Sequence, residues 1–352
     1  MSSMRHSPQF VYCELTNACN ADCPACDFRR SRGVARLFMQ RGTIEKVVSD
    51  VAALGAEVGL FSGEPMLHPL LDWFAERLNR ASGRPVAHLS TNGQLLSRGS
   101  LKWEHFKSVG FSIDGLEPMA SHIRGLKSQT LAVGQKLAGI IRARTAYGFP
   151  AIYMRIVVRP ENYKRLAEYC DYWLSYPVDG VEVIHLHGTT EETAARTRAI
   201  LPGFDAVARN PDFSARIGVD TLQLTRILNE IKRRFGARVS IIPDLEAEAL
   251  VGFYSDASTF VGPLRFCSKP WDSLEVLASG RVVLSSNCVS LPLGDIHQSS
   301  LRELFCAPLL ERFRAIMQER VRIPVCARCC TYSQSPSRPN ERFHRNTGIS
   351  SP

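Results

Sequence analysis

Short apolar runs alternate with longer amphipathic segments through the first two-thirds of the chain. The short runs predict strands, and the segments with apolar residues three or four positions apart predict helices. The predicted strands are Phe10–Leu15, Val58–Phe61, Val86–Ser90, Val109–Ile113, Ala151–Val158 and Val181–His187, and the predicted helices are Ile44–Leu54, Leu70–Arg80, Leu131–Tyr147 and Tyr163–Leu174. Because strands and helices alternate, the pattern favours an α/β fold with a parallel sheet, in the form of a partial (β/α)6 barrel.

The alternation weakens after Thr189. The later pattern predicts helices at Asp220–Phe235 and Leu301–Met317, and between them a hairpin of Leu274–Leu277 and Val282–Leu284. We therefore divide the chain into four parts. These are a barrel core at 9–245, a connector at 246–263, a small C-terminal α+β domain at 264–331, and a polar tail at 332–352 that is expected to be flexible.

Composition limits the expected location of the protein in the cell and the kinds of partner that it can bind. The 352 residues contain no run of 18 uncharged apolar residues and no N-terminal signal-peptide pattern, so a cytoplasmic protein without a membrane partner is expected. Lys and Arg outnumber Asp and Glu by 43 to 34, which gives a formal net charge of +9. The basic residues are spread along the chain, so we expect a solvated basic surface and no nucleic-acid partner. Attraction of an anionic ligand or substrate is the alternative.

The eleven cysteines are grouped in a way that indicates metal ligation. Disulfides are rare in a reducing cytosol, and this chain is far longer than the small secreted domains that need them. Cys170 and Cys306 lie in predicted helices and are expected to be buried core thiols, as is Cys13 on the first strand. The first group contains Cys13, Cys19, Cys23 and Cys26, and the second contains Cys288, Cys326, Cys329 and Cys330, with Cys267 just before it.

Three cysteines follow the first predicted strand at the spacing C-x3-C-x2-C, as Cys19, Cys23 and Cys26. Three thiolates from one loop can hold three irons of a [4Fe–4S] cube and leave the fourth iron open to a ligand. A zinc site that lacks its fourth ligand is the alternative.

The spacing and its place after a strand resemble the signature of the radical S-adenosylmethionine (SAM) superfamily. The resemblance covers roughly residues 9 to 190. It implies a cluster whose open iron binds the amino and carboxylate groups of SAM, and an external reductant such as flavodoxin or ferredoxin. Reductive cleavage of SAM would then give a 5′-deoxyadenosyl radical that abstracts hydrogen from an unactivated C–H bond. The family often has an aromatic residue before the third cysteine, where this chain has Ala25, so Phe28 is expected to fill that space beside adenine.

Loops after later strands resemble the SAM-binding loops of the same family. Ser62-Gly63-Glu64-Pro65 is similar to its GGEP motif, which places Gly63 and Glu64 near the SAM amine. Ser112-Ile-Asp-Gly is similar to its SIDG loop, where Ser112 would contact the ribose. Arg124 occupies the place of an arginine that pairs with the SAM carboxylate, and Val157 is a candidate for packing against adenine. His185 and His187 are candidates for substrate contact or proton transfer, with core positions as the alternative.

The second cysteine group can close a zinc site or fully ligate another [4Fe–4S] cluster, and spacing alone leaves both open. Residues 264–330 resemble the SPASM/twitch extension of radical SAM enzymes, through Cys-x2-Pro-Trp, the hairpin glycine and the terminal Cys-x2-Cys. The resemblance implies a second, auxiliary [4Fe–4S] cluster, and the single-cluster twitch form fits better. Its expected ligands are Cys267, Cys288, Cys326 and Cys329, with Cys330 as an alternative to Cys329.

Three kinds of reaction are compatible with these motifs. The favoured one is oxidation of a small hydroxylated metabolite, of the aminocyclitol or sugar type, with the auxiliary cluster as electron acceptor and an unidentified base. Modification of a ribosomal peptide is the second, and we expect it less because the barrel begins by about Phe10 and leaves no room for a leader-binding module. The third is epimerisation with Cys330, Cys170 or Cys13 as hydrogen donor. A metal-binding scaffold without catalysis is the non-enzymatic alternative.

Overall fold

A mostly parallel sheet forms the framework of this computed structural model, which describes residues 7–24, 26, 35–95, 101–206, 218–255, 267–284, 289–319 and 323–329. The strands are β1 Phe10–Glu14, β2 Glu57–Phe61, β3 Ala87–Thr91, β4 Phe106–Ser112, β5 Ala151–Val158, β6 Gly180–His185, β7 Asp205–Ala206, β8 Val239–Ile242, β9 Ser273–Val276, β10 Arg281–Val283, β11 Val289–Ser290 and β12 Pro292–Asp295. The large sheet has the order β12-β10-β9-β1-β2-β3-β4-β5-β6-β8, and β7 pairs with β11.

Helices connect the parallel strands. They are α1 Arg41–Leu54, α2 Leu71–Ser82, α3 Met119–Arg124, α4 Gln129–Tyr147, α5 Leu166–Leu174, α6 Glu191–Ile200, α7 Thr221–Phe235, α8 Ala247–Ser255, α9 Lys269–Asp272, α10 Leu301–Phe305 and α11 Pro308–Glu319. The predicted α/β class and the partial barrel of six parallel strands are confirmed, because β1 to β6 are neighbours in chain order. Within the described residues, no helix is long and apolar enough to span a membrane.

The C-terminal strands continue the barrel sheet. β9 lies parallel to β1, with Phe10 opposite Ser273, and β10 and β12 follow it as antiparallel strands. The segment expected to be a connector contains α8, whose Leu250 and Phe253 are each 1% exposed. The domain boundaries themselves stay a prediction.

Two predictions about the last third of the chain need correction. The single helix expected at Leu301–Met317 is two helices, because Cys306 ends α10 and Pro308 begins α11. Proline lacks the backbone N–H that a continuous helix would need at that point. Cys306 is exposed instead of buried, whereas Cys13 and Cys170 are fully buried as expected.

Alternation along the strands gives the sheet two different faces. Side chains such as Val58, Leu89 and Val109 belong to the buried apolar core. The other face, which we call the inner face, carries Gly59, Ser90, Gly110, Arg155 and Glu182, as the paired registers require. Polar chemistry is therefore concentrated on the inner face and at the loops where the parallel strands end.

Candidate functional site

The segment that carries Cys19, Cys23 and Cys26, called here the cysteine loop, leaves the carboxyl end of β1. The N–H of Cys26 donates to the carbonyl of Cys23 at 3.2 Å, which brings the second and third thiols into one turn. Burial is the main cause that raises the pKa of Cys19 to about 11; the hydrogen bond from the Ala21 N–H opposes the increase, and the charges of Glu64, Cys23 and Cys26 add to it. The thiols are thus close enough to repel one another as thiolates, and a bound cation would relieve that repulsion.

No three His, Cys, Asp or Glu side chains in the described ranges are arranged to share a single metal ion. An iron–sulfur cube distributes its thiolates over different irons. The three thiols of the cysteine loop are the type of donor that such a cube needs, and their ligation of a cluster stays a prediction.

Gly63 allows the loop after β2 to touch the cysteine loop. Its φ of +55° is favourable for glycine, and a Cβ there would lie 2.3 Å from the carbonyl oxygen of Ala18 and 2.6 Å from that of Thr16. The N–H of Glu64 donates to the same Ala18 carbonyl at 2.8 Å. Both contacts are with backbone, so no side-chain movement can make room for a larger residue.

The carboxylate of Glu64 joins two strand-end loops. It accepts hydrogen bonds from the Thr91 hydroxyl at 2.6 Å, the Asn92 N–H at 2.8 Å and the Met66 N–H at 3.1 Å. Burial raises the pKa of Glu64, and these donors oppose the increase. Asn92 in turn donates to Asn20 of the cysteine loop at 2.8 Å. Glu64 therefore fixes the loop beneath the thiols, and its contact with a SAM amine stays a prediction.

The remaining predicted SAM contacts lie at the ends of β4 and β5. Ser112 ends β4 and is half-buried, and Val157 is half-buried near the end of β5. Asp114 links the two, because its carboxylate accepts the Val157 N–H at 2.8 Å and pairs with Arg124 at 2.9 Å. The predictions for Ser112, Val157 and Arg124 are not contradicted by these positions, and they stay predictions.

Gln129 is a buried residue of this region that the sequence reasoning missed. Its amide nitrogen donates to the carbonyls of Asn92 at 2.7 Å and Ser112 at 2.9 Å, and so holds two strand-end loops together. The sequence pattern did not single out Gln129, because a glutamine in the first turn of a helix is ordinarily exposed.

The inner face carries a second group that the sequence reasoning missed. Arg155 of β5 donates to Glu182 of β6 at 2.6 Å and to the Ser90 hydroxyl of β3 at 3.1 Å. Its guanidinium lies on Gly110, where a Cβ would meet the NH1 atom at 2.4 Å. The sequence did contain a signal for this group. Arg155 and Glu182 are charged residues within two predicted strands, and Gly110 is a glycine within a third.

His185 does not face the interior of the barrel. Its ring is fully buried and contacts the Tyr254 hydroxyl of α8 at 2.7 Å, on the sheet face opposite Glu182. The core alternative is therefore correct for His185. His187 lies past the end of β6 and is half-buried.

The second cysteine group is described in part. Cys326 is 8% exposed and begins a tight turn in which the Cys329 N–H donates to the Cys326 carbonyl at 3.2 Å, here called the Cys326–Cys329 turn. Cys267 and Cys329 are half-buried and pack against the core. The turn rests on α6, because the Val325 N–H donates to Thr197 at 3.1 Å. Cys288, Cys330 and Phe28 lie outside the described residues.

Comparison with known proteins agrees with this arrangement. Residues 267–330 match the model of the SPASM iron–sulfur cluster-binding domain. The chain is 29% identical over 196 residues to the tungsten-containing aldehyde ferredoxin oxidoreductase cofactor-modifying protein of Pyrococcus furiosus, covering 52% of this chain and 53% of that protein. It is 27% identical over 182 residues to a probable GTP 3′,8-cyclase of Sulfolobus acidocaldarius, covering 49% and 54%. The chain thus matches about half the length of these curated relatives.

Solved structures share the fold. The crystal structure of Streptococcus suis SuiB bound to precursor peptide SuiA has a TM-score of 0.59 at 11% identity, covering 95% of this chain and 76% of that one. Native anSMEcpe with bound AdoMet has a TM-score of 0.58 at 17% identity, covering 95% and 94%. The shared fold and the match of the C-terminal domain agree with what the sequence resemblance implied for the architecture, and the cysteine ligands stay a prediction.

Proposed function

We propose that this chain, whose C-terminal residues match the SPASM domain, is a radical SAM enzyme that oxidises a hydroxyl-bearing carbon of a small metabolite of the aminocyclitol or sugar type. The observation that carries the proposal is the Arg155–Glu182 pair on the inner face. It supplies a hydrogen-bond donor and a proton acceptor on the same face of the sheet, 2.6 Å apart. An alcohol oxidation needs both functions.

The proposed ligands of the SAM-binding [4Fe–4S] cluster are Cys19, Cys23 and Cys26, and those of the auxiliary [4Fe–4S] cluster are Cys267, Cys288, Cys326 and Cys329. When bound, the clusters and SAM supply hydrogen-atom abstraction from carbon and an acceptor for the remaining electron. The residues near SAM are proposed to be Gly63, Glu64, Ser112, Arg124, Phe28 and Val157. A flavodoxin or ferredoxin is the proposed reductant.

The protein's own part in the reaction is to hold the substrate and take its proton. Arg155 is fixed by Glu182 and Ser90, so its guanidinium can orient a substrate hydroxyl without losing much conformational freedom. The Glu182 carboxylate is the group that would accept the hydroxyl proton as the carbon is oxidised. Each turnover then removes one hydrogen atom, one proton and one electron from the alcohol, which balances the formation of a ketone.

Peptide modification is the second candidate, because the SuiB structure contains a precursor peptide. The epimerisation alternative is weaker among the described cysteines. Cys13 is buried against Met39, with 4.0 Å between the sulfur atoms, and Cys170 is buried in α5. Neither thiol lies on the inner face, where it would have to return a hydrogen atom to substrate.

The test uses the anaerobically reconstituted protein with SAM, a reductant and a panel of aminocyclitols and amino sugars deuterated at their carbinol carbons. We expect about eight irons per chain and no stoichiometric zinc, together with one deuterium in 5′-deoxyadenosine for each ketone formed. Four irons with one zinc, or turnover of a peptide in place of every sugar, would overturn the proposal.

Replacing Glu182 tests the proton acceptor. Glu182→Gln should slow ketone formation by about 10²- to 10⁴-fold, because the amide cannot accept a proton. The variant should still cleave SAM, but without forming the ketone. The control is Glu76→Gln, which removes a carboxylate that pairs with Arg80 on α2, away from the inner face, and should leave turnover unchanged. Unchanged ketone formation in Glu182→Gln would exclude Glu182 as the base.

A further inference from the structure

Arg124 is attached to the cysteine loop through its backbone. It is the last residue of α3, and its carbonyl accepts the N–H of Asp22 at 2.9 Å. Gly125 follows with a φ of +60°, and a Cβ there would lie 2.8 Å from the Cβ of Asp22. The end of α3 therefore presses directly on the segment between Cys19 and Cys23.

The side chain of Arg124 is directed between a carboxylate and a thiol. Its NH2 atom lies 2.9 Å from Asp114, and its NH1 atom lies 4.0 Å from the sulfur of Cys23. Asp114 is fixed in turn, because its other oxygen accepts the Val157 N–H. The Nε atom of Arg124 is buried and has no hydrogen-bond partner among the described residues. The guanidinium is thus held by Asp114 with its NH1 group toward Cys23.

The electrostatics at Cys23 agree with this orientation. The NH1 atom of Arg124 is directed at the Cys23 sulfur, and its NH2 atom is directed at the Asp114 carboxylate. Coulomb interactions weaken with distance, so the guanidinium beside the sulfur acts on it more strongly than the carboxylate that it separates from the sulfur. The Arg124–Asp114 pair therefore presents a net positive end to the sulfur.

We propose that Arg124 raises the reduction potential of the SAM-binding cluster, because its positively charged guanidinium directs an N–H group at the sulfur of the ligand Cys23. Reduction adds an electron to the cluster, and a cation or donor beside a ligating sulfur stabilises that added charge. This positioning role is separate from the pairing with a SAM carboxylate that the family resemblance implies, because it operates before SAM binds. The inference rests on the proposed ligand set Cys19, Cys23 and Cys26.

The experiment is a redox titration of the reconstituted holoenzyme, followed by electron paramagnetic resonance in the absence of SAM. The signal of the SAM-binding cluster is identified by its change when SAM is added afterwards, and the auxiliary cluster serves as an internal reference. Arg124→Met should lower the equilibrium constant for reduction about tenfold, which is about 59 mV for a one-electron couple. Arg124→Lys should retain part of the effect, because the charge remains.

Two further variants keep the test decisive. Arg144→Met is the matched control, because Arg144 also pairs with an aspartate, Asp179 at 2.6 Å, but far from the cysteine loop. It should leave both potentials unchanged. Arg124→Gln also removes the charge but keeps an N–H donor for Asp114, so it decides the matter if Arg124→Met does not retain its cluster, and it should lower the potential.

The outcomes separate this inference from the proposed function. An unchanged SAM-free potential in a fully loaded Arg124→Met protein, or an equal shift of both clusters, would overturn the role of Arg124. An unchanged SAM-free potential in a fully loaded Arg124→Gln protein would do the same. If Arg124→Met lost affinity for SAM while the cluster potential stayed unchanged, the role proposed here would be rejected, and only the pairing of Arg124 with the SAM carboxylate would remain. Failure of the wild-type protein to bind a cluster at all would instead reject the proposed ligand set.

Discussion

The cysteine loop and the Cys326–Cys329 turn both present thiols from short irregular segments, but different elements hold them. Glu64 and Asn92, from two strand-end loops, and Arg124, from the end of α3, each contact the cysteine loop. The Cys326–Cys329 turn contacts helices on the flank of the sheet, through Thr197 of α6 and Phe253 of α8.

This difference has a structural consequence. The cysteine loop takes its shape only when β2, β3 and the end of α3 are all in place, so its thiols depend on the completed barrel. The Cys326–Cys329 turn is anchored on α6 and α8 instead, with Arg328 buried between its cysteines and its guanidinium 5.3 Å from the centre of the Phe253 ring. We therefore expect damage to one thiol region to leave the other largely intact.

The largest effect should come from removing one thiol from each region in turn. Cys23→Ala should reduce the iron content from about eight to about four per chain and abolish 5′-deoxyadenosine formation. Cys326→Ala should also remove about four irons, but it should retain SAM cleavage while losing ketone formation. Iron analysis and chromatography of 5′-deoxyadenosine distinguish the two. Retained SAM cleavage in Cys23→Ala would reject the ligand assignment.

The second-largest effect on cluster loading is expected when the close contact between Gly63 and the cysteine loop is obstructed. Gly63→Ala places a methyl group within 2.3 Å of the Ala18 carbonyl, so the loop must shift, and loading of the SAM-binding cluster should fall. Gly55→Ala is the matched control, because Gly55 has a similar φ of +62° with no atom within 4 Å of its added Cβ. It should cost only the backbone strain, about 1–2 kcal/mol.

Iron analysis and the SAM-induced change in the paramagnetic signal measure this pair of variants. The auxiliary cluster should load normally in both. If Gly55→Ala lost the SAM-binding cluster as completely as Gly63→Ala, general destabilisation would explain the result, and the specific support of the cysteine loop by Gly63 would be disproved.

Sequence reasoning succeeded where the signal was local. The strands β1 to β6 are short apolar runs, and their order follows from the right-handed parallel connection that such units prefer. The cysteine spacing is an equally local signal, and the ligand set that it predicts stays a prediction. The short elements β8 and α3 were missed, because four or six residues are too few for periodicity to distinguish them from a loop.

Contacts between distant strands were not predictable from the pattern. Arg155 and Glu182 are 27 positions apart, and only the register of β5 against β6 places them opposite each other. Arg124 was found through family resemblance, but its contacts with Cys23 and Asp114 depend on where α3 ends. For His185 the sequence left a lumen position and a core position open, because an alternating pattern fixes which residues share a face without saying which face is inside.

The smallest expected effect concerns the support of the Cys326–Cys329 turn. Thr197→Val preserves shape but removes the oxygen that accepts the buried Val325 N–H, which should cost about 1–3 kcal/mol. The loss falls next to Cys326, so the turn should open more often, and a chelator should extract the auxiliary iron about tenfold faster. Thr145→Val is the control, because the Thr145 hydroxyl is exposed and bonds only within α4, to the Ile141 carbonyl. Two-phase iron release resolves the clusters, and equal acceleration of both phases would show that the two thiol regions are not independently supported.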